Sequence, residues 1–346
     1  MKRPTQQDVA KLAGVSRATV SYVLNGLTEN GRVPISVETR NQVKQAIEEL
    51  GYVPDASAQA LRTGNTKNIG LIIPDMNNPH FWEHAAGVEK EVFASGYRLL
   101  LSSMEYNIKY GEDIFKDLSH QRVDGLILMG GFINNSEKVK NILTQFQKRR
   151  LAIVEMTDKL NIDSKLDRIE ADYFDATKEV IAHLISLGHR KIGFLQGIQE
   201  PILAEDRLIP YQESLLAVGL EDITITCGPS LEEGYQAALE LLGSPGRPTA
   251  LIVVNDLLAM GVIRAAADLG LKIPKDLSVV GYDNIQIAKY MVPRLTTVSK
   301  DAFRLGREAV KLLLARIEDP TRPRQVIRVS PLVIFRESTG PVPEMV

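Results

Sequence analysis

The chain has 346 residues, 44% hydrophobic and 24% charged, with a formal net charge of −2; this ordinary globular mixture is too long for one core, so two or three domains are expected. The single cysteine, Cys227, excludes an intramolecular disulfide and a multi-cysteine metal cage, and no run approaches the roughly 18 apolar residues a membrane span requires. The opening MKRPTQQDVAKLAG lacks the continuous apolar stretch of a signal peptide, so a cytoplasmic protein is expected. Charge is spread unevenly. Residues 1–67 hold nine Lys/Arg against six Asp/Glu, whereas the remainder holds 32 against 37. A mildly basic head on an acidic body fits a nucleic-acid-binding head.

In chain order, Thr5-Gln6-Gln7-Asp8 reads as a capping box opening a first helix, with Val9, Leu12 and Ala13 as its apolar face. Gly14 stops that helix, because glycine tolerates the left-handed conformation of a tight stop. Ser16 caps a second helix almost at once; Val20, Val23 and Leu24 form its buried face, and Asn25-Gly26 ends it. So short a gap is the spacing of a helix-turn-helix. Polar, turn-rich LTENGRVP (27–34) reads as a loop. A third helix runs from a Ser36 cap through Val43, Ala46, Ile47 and Leu50 to Gly51.

The outward face of the second helix carries Arg17, Ala18, Ser21 and Tyr22 and no acid. Arg can fork onto guanine, Ala can touch a thymine methyl, and Tyr can reach a base edge or a phosphate. Thr5, Ser16, Thr19, Ser21 and Asn25 are short hydrogen-bonding side chains suited to phosphates. The alternative is a merely solvated helix face.

From residue 69 short apolar runs alternate with amphipathic helices. The runs lie at 69–74, 97–103, 124–130, 151–155, 191–196, 250–254 and 277–281, with helices such as 80–95, 175–187, 231–242 and 256–269 between them. Apolar strands separated by helices mean parallel sheets covered on both faces, and the length suits two such units. Ligands bind beyond the carboxyl ends of strands in open parallel sheets. Those places hold Asp75, Glu155, the loop after Gln196, Asn255-Asp256 and Tyr282-Asp283, with Phe81, Trp82 and Phe132 nearby in sequence. Carboxylates and amides exchange hydrogen bonds with hydroxyls, an aromatic face covers a ring, and Arg207 can fork onto vicinal oxygens, which suits a neutral polyhydroxylated ligand. Duller roles compete: Asp256 as a helix N-cap, Trp82 as subdomain core, His189 as a helix-end cap.

No GxGxxG follows the first strand, and there is no P-loop, HExxH or GxSxG; the histidines at 80, 84, 120, 183 and 189 are scattered. No catalytic residue, metal site or cofactor is therefore expected.

The strings TQQDVAKLAGVSRATVSYVLNG and SVETRNQVKQAIEELGYVPDASAQALR resemble the DNA-binding head of the lactose repressor (LacI/GalR) family. The resemblance continues through NIGLIIPDMNNPHF, RVDGLILMGG, LGHRKIGFLQG, RPTALIVVNDLLAMG, LSVVGYDN and PRLTTVSKD, nearly the whole chain and in the family's order. It implies a helix-turn-helix head (1–54), a hinge helix and linker (55–66), and a core (67–340) of two periplasmic-binding-protein-like subdomains. These span about 67–166 with 299–325, and 167–298 with 326–340, joined by crossovers near 165–168, 297–300 and 325.

Position by position, the resemblance places Arg17, Ala18 and Tyr22 on bases, and Thr5, Ser16, Thr19, Ser21, Asn25, Ser36, Thr39 and Tyr52 on phosphates. Ala56–Arg62 would be a hinge helix with Leu61 as an apolar wedge in the minor groove; ordinary core packing is the alternative for Leu61. In the core, Arg207, Asn255 and Asp283 would touch an effector with Glu155 opposite, and Phe81 and Lys300 would line the site. Asp75 is retained as a candidate from its strand end. The chain departs from the family in four places, one of them Asp55, which follows Pro54 where Asn is commoner and serves equally well as a helix N-cap. The loop at 27–34 is longer than usual. Pro201 and Leu203 stand where purine-responsive relatives place polar contacts, which favours a sugar or sugar derivative over a purine. Tyr173 replaces the Asn of an Asp-Asn pair and could alter the pocket. The implied protein is a repressor, a homodimer on a pseudo-palindromic operator, without the tetramerising coiled coil of some relatives. A solute-binding protein on the same body fold is the alternative, opposed by the head.

Overall fold

A computed structural model describes residues 4–24, 34–53, 65–106, 113, 114, 118, 123–130, 141, 144, 151–158, 165–197 and 205–343. The chain divides after Thr66 into a head and a body.

The described residues of the head form three helices, α1 (Gln6–Leu12), α2 (Arg17–Leu24) and α3 (Val37–Leu50). The capping box forms as read: the Thr5 amide donates to Asp8 Oδ2 at 2.8 Å, and the Asp8 amide returns to Thr5 Oγ1 at 3.4 Å. Ser16 caps α2 by accepting from the Thr19 amide at 3.1 Å, and Ser36 caps α3 by accepting from that of Thr39 at 3.1 Å. Gly14 and Gly51 take the left-handed conformation that ends α1 and α3. Val9, Ala10, Val20, Val23, Val43 and Ala46 form the core. Asn25, Leu61, the hinge segment 56–62 and all of the 27–34 loop except Pro34 lie outside the described residues.

The body opens with β1 (Asn68–Ile73), α4 (Pro79–Ala94), β2 (Arg98–Ser103), β3 (Gly125–Met129), β4 (Ala152–Thr157) and β5 (Asp167–Ala171). It continues through α5 (Phe174–Ser186), β6 (Ile192–Gln196), α6 (Glu205–Ala217), β7 (Ile223–Thr226), α7 (Leu231–Gly243) and β8 (Ala250–Val253). Then come α8 (Asp256–Asp268), β9 (Ser278–Tyr282), a 3-10 turn (Gln286–Lys289), β10 (Thr296–Ser299), α9 (Ala302–Glu318), β11 (Val326–Val329) and β12 (Leu332–Ile334). One sheet has the order β11-β5-β4-β3-β1-β2, and the other β12-β10-β9-β8-β6-β7. All pairings are parallel except β10 with β12. Each sheet has its own apolar core, so the expected pair of covered parallel sheets is present.

The first and third crossings lie a few residues beyond the expected ones, and the second falls within the expected 297–300. β5 and β11 both belong to the first sheet, so the chain passes over after Ala171, after Ser299 and after Val329. The reason is β5 itself. Its sequence, DRIEA, has no apolar run, yet every residue is buried. Its charges are neutralised in place. Asp167 accepts from Arg316 Nε at 2.8 Å and Nη2 at 2.9 Å, Arg168 sits 3.1 Å from Glu155 and 3.0 Å from Glu170, and Arg328 reaches Glu170 at 3.2 Å. Pairing makes such burial tolerable.

α4 and α9 cross closely on the first sheet. A Cβ added to Gly306 would lie 2.2 Å from the His84 carbonyl oxygen, and one at Gly87 would lie 2.0 Å from that of Phe303. Backbone oxygens cannot rotate away, so the helices would have to separate. Gly306→Ala is expected to lower stability by about 1–3 kcal/mol through overpacking, measured as a lower urea midpoint at unchanged slope.

Candidate functional site

In the head, Arg17, Ala18 and Tyr22 share the exposed face of α2, and Thr19 and Ser21 are half-buried beside them. Arg17 Nε leans across α1 to Gln6 Oε1 at 3.4 Å. The hydroxyls of Ser16 and Thr19 lie 2.9 Å apart, and those of Ser36 and Thr39 2.8 Å apart. Two Ser-x-x-Thr pairs therefore stand at the N-terminal ends of α2 and α3, where backbone N–H groups and the helix dipole favour an anion. Tyr52 is half-buried against the three-helix core.

In the body, a polar cluster forms where the carboxyl ends of the two sheets meet. Arg207, on the first turn of α6, is its centre. Its guanidinium carbon stands 4.0 Å over the Tyr173 ring and 5.1 Å from that of Tyr282. Arg207 Nη2 lies 3.2 Å from Asp158 Oδ2 and 3.9 Å from Asp283 Oδ1, and Nη1 lies 3.4 Å from Asp206 Oδ2. Lys300, just after β10, donates to Asp158 Oδ1 at 2.5 Å. His80, on the first turn of α4, has Nδ1 3.5 Å from Asp283 Oδ1 and packs edge-on against His84 and Phe81. Asp75 follows β1 and accepts from the Asn77 amide at 2.9 Å.

Strand-end geometry aims these groups. Asp283 has φ of 99° and Asn284 φ of 52°, both left-handed and strained for residues other than glycine. Three contacts hold the turn. The Ile285 amide donates to buried Asp256 at 3.0 Å, the Asn284 amide to Thr297 Oγ1 at 3.2 Å, and Arg336 Nη2 to Asn284 Oδ1 at 2.6 Å. Asn255, not Asp256, caps α8, accepting from the Leu258 amide at 2.8 Å through Oδ1. Asp256 is instead a buried brace that also takes the Thr297 hydroxyl at 2.7 Å.

Burial and charge set the protonation states. Burial alone would raise the Asp158 carboxyl, but the Lys300 and Arg207 charges outweigh it and hold it well below the usual carboxylate range. Burial wins at Asp206 and Asp283, which are pushed up to about 7 and about 6 despite Arg207. Burial and then the Lys300 charge hold His80 well below its usual range, so it is neutral. Burial, with Asp75 and Asp283 beside it, pushes the Tyr106 phenol up. Tyr173 Oη, Arg207 Nε and both ring nitrogens of His84 are buried with no hydrogen-bond partner among the described residues. Such atoms are uncommon in a folded protein and call for an explanation.

The cluster thus brings together Arg207, Asp283 and Lys300 of the expected residues, with Phe81 beside His80 at its edge, and Tyr173 enters it as anticipated. Glu155 is elsewhere. β4 runs to Thr157, two residues further than its apolar run, so Glu155 is mid-strand and opposite Arg168 in register. The residue that leaves the strand end is Asp158. Asp158, Asp206, His80, His84 and Tyr106 were not foreseen. A longer β4 would have exposed Asp158, and the i, i+4 histidine pair opening a helix after β1 was a legible signal for His80 and His84.

Other expectations shift too. Trp82 is not core: it is 45% exposed and donates to the Met76 carbonyl at 2.9 Å. His189 ties the end of α5 to β8, β9 and the C-terminal segment through Thr249 (2.9 Å), Ser278 (3.0 Å) and the Gly340 carbonyl (3.0 Å). Phe132, Pro201 and Leu203 lie outside the described residues.

Residues 5–55 match the model of bacterial regulatory proteins of the lacI family, and residues 181–339 match a periplasmic binding protein-like domain. The chain is 35% identical to the HTH-type transcriptional repressor PurR of Pectobacterium carotovorum, covering 98% of each chain. It is 34% identical to the ribose operon repressor of Haemophilus influenzae, over 96% of this chain and 98% of the relative. The lac repressor dimer bound to operator and the anti-inducer ONPF superposes with a TM-score of 0.82 at 27% identity, over 98% of this chain and 100% of that one. A regulator from Enterococcus faecium with bound ribose gives 0.70 at 28% identity, over 79% and 99%. A helix-turn-helix head in the same chain as a two-sheet body with a buried polar cluster agrees with these matches: the protein belongs to the lacI family of bacterial regulatory proteins, DNA-binding repressors under the control of a small-molecule effector.

Proposed function

We propose that this protein is a cytoplasmic, non-enzymatic repressor that binds a pseudo-palindromic operator as a homodimer and releases or tightens on it when a sugar or sugar derivative occupies the cleft around Arg207. The observation that carries the effector reading is the pair of buried polar atoms, Tyr173 Oη and Arg207 Nε, that have no hydrogen-bond partner among the described residues and lie where the Arg207 guanidinium stands over the Tyr173 ring. The ring face of Tyr173, the Arg207 fork and the Asp283 carboxylate offer donors and acceptors to vicinal hydroxyls. Ribose bound to a relative fits that chemistry. Asp75, Asn255, Phe81 and Lys300 complete the proposed lining; the cap at Asn255 uses only its carbonyl oxygen, leaving the amide N–H groups for a ligand.

In the head, Arg17, Ala18 and Tyr22 read bases from the exposed face of α2. Thr5, Ser16, Thr19, Ser21, Asn25, Ser36, Thr39 and Tyr52 hold phosphates, and Leu61 of each hinge enters the minor groove. A relative solved as a dimer on its operator supports the two-fold arrangement. Arg17→Ala is expected to weaken operator binding by about 1–3 kcal/mol per half-site and to relax preference at one symmetric base pair. Binding measured across a library of operator variants checks this; an unchanged preference at every position would remove Arg17 from base reading.

A further inference from the structure

Among the described residues, the cations Arg207 and Lys300 face the carboxylates of Asp158, Asp206 and Asp283, and Asp158 takes both cations. Arg207 is 6% exposed and Lys300 7%. Asp158, with a side chain 27% exposed, places Oδ1 2.5 Å from Lys300 Nζ and Oδ2 3.2 Å from Arg207 Nη2. It comes from the end of β4 in the first sheet, Arg207 comes from α6 over the second sheet, and Lys300 follows β10 where the chain crosses back. Two convergent cations spaced to share a carboxylate are the usual receptor for a phosphate or carboxylate group. Here the chain's own side chain occupies that receptor.

We propose that Asp158 is a specificity residue of the effector cleft: its carboxylate stands in for a ligand anion on Arg207 and Lys300, so the cleft accepts neutral polyols and excludes sugar phosphates and sugar acids. This rests on the reading of the cleft as the effector site. An entering anion must displace the Asp158 carboxylate from both cations and then sit beside its charge, an exchange with no net gain that Asp206, 3.4 Å from the same guanidinium, and Asp283, 3.9 Å from it, make less favourable still. A hydroxyl meets no such repulsion and gains acceptors from all three. Exclusion by a like charge already in the site is a common route to selectivity.

The test compares full-length wild type with Asp158→Asn, which keeps the shape and removes the charge, and with Asp158→Ser in case the amide disturbs folding. Calorimetry at constant ionic strength uses inorganic phosphate, ribose and ribose 5-phosphate as probes. Wild type is expected to show no saturable phosphate or ribose 5-phosphate binding. Both variants are expected to gain it by at least about tenfold, about 1.4 kcal/mol, and to lose it again on adding Lys300→Met. Saturable binding of either anion to wild type that Lys300→Met abolishes, or variants that fold and gain nothing, overturns the proposal. A separate arm measures ribose and a panel of other neutral sugars against operator affinity in Asp283→Asn. An unchanged sugar response there defeats the cleft reading, while the phosphate arm still decides the role of Asp158.

Discussion

Arg207→Ala is expected to lose the effector response and to lower the stability of the body by about 3–5 kcal/mol, the cost typical of stripping one partner from buried charges. The residue is buried, and Asp158, Asp206 and Asp283 all approach its guanidinium. Without it Lys300 is the one described cation facing these three carboxylates, and Tyr173 loses the nearer of two cations over its ring, keeping Lys300 at 5.6 Å. The pH dependence has a definite sign. Asp206 and Asp283 already titrate near 7 and 6 in the fold, above their unfolded values. A carboxyl with a raised folded pKa is protonated in the fold where the unfolded chain has ionised, so its contribution grows as pH falls toward about 4 and is lost as pH rises through the folded value. Removing Arg207 raises both further. The deficit should therefore be largest above pH 7 and shrink toward pH 5, as read by urea unfolding at each pH. A constant deficit would mean that packing, not charge, carries the loss.

Arg168→Met is expected to cost a similar amount, about 3–5 kcal/mol, with the effector response of the folded fraction intact. Arg168 is 0% exposed and lies between Glu155 and Glu170 in adjacent strand positions. Its removal takes from buried Glu155 an ion-pair partner 3.1 Å away, whereas Glu170 keeps Arg328 at 3.2 Å. Adding Glu155→Leu should therefore recover most of the stability, because an apolar pair of similar volume needs no desolvated charge. Chemical denaturation of the two variants checks the first claim. Sugar titration of the double variant checks that Glu155 plays no part in the cleft; a lost response at restored stability would return Glu155 to the site.

Strands whose apolar runs are continuous, such as β1, β3 and β8, were legible because both faces of a parallel sheet are covered. β5 was not. Its burial depends on Glu155, Arg316 and Arg328 arriving from other parts of the chain, which no local pattern announces. The same difficulty hid the end of β4: Glu155 looks like a strand stop, since its partner Arg168 appears only when β4 and β5 pair in register. Helix starts were better signalled, because a cap needs only residues three apart. Thr5-Asp8, Ser16 and Ser36 behave as their spacing implies. Adjacent candidates exchanged roles at Asn255 and Asp256, which differ by one residue in sequence but point to a helix N-terminus and into the core. In the cleft, Arg207, Asp283 and Lys300 were legible from resemblance and strand ends. Asp158 and Asp206 were not, because what marks them is convergence on cations from separate elements.

The central claim is that occupancy of the cleft changes DNA affinity, and a coupled titration tests it most directly. Full-length protein is titrated onto DNA from its own upstream promoter region, at fixed salt, with and without ribose, cellobiose, a wider panel of neutral sugars and a purine base. Coupling of this kind is typically 5–150-fold, about 1–3 kcal/mol. One symmetric site is expected, with an affinity that shifts within that range with a neutral sugar and stays put with that sugar in Arg207→Ala. A neutral sugar that binds the body while operator affinity stays unchanged, or the absence of any sequence-specific site, would contradict it.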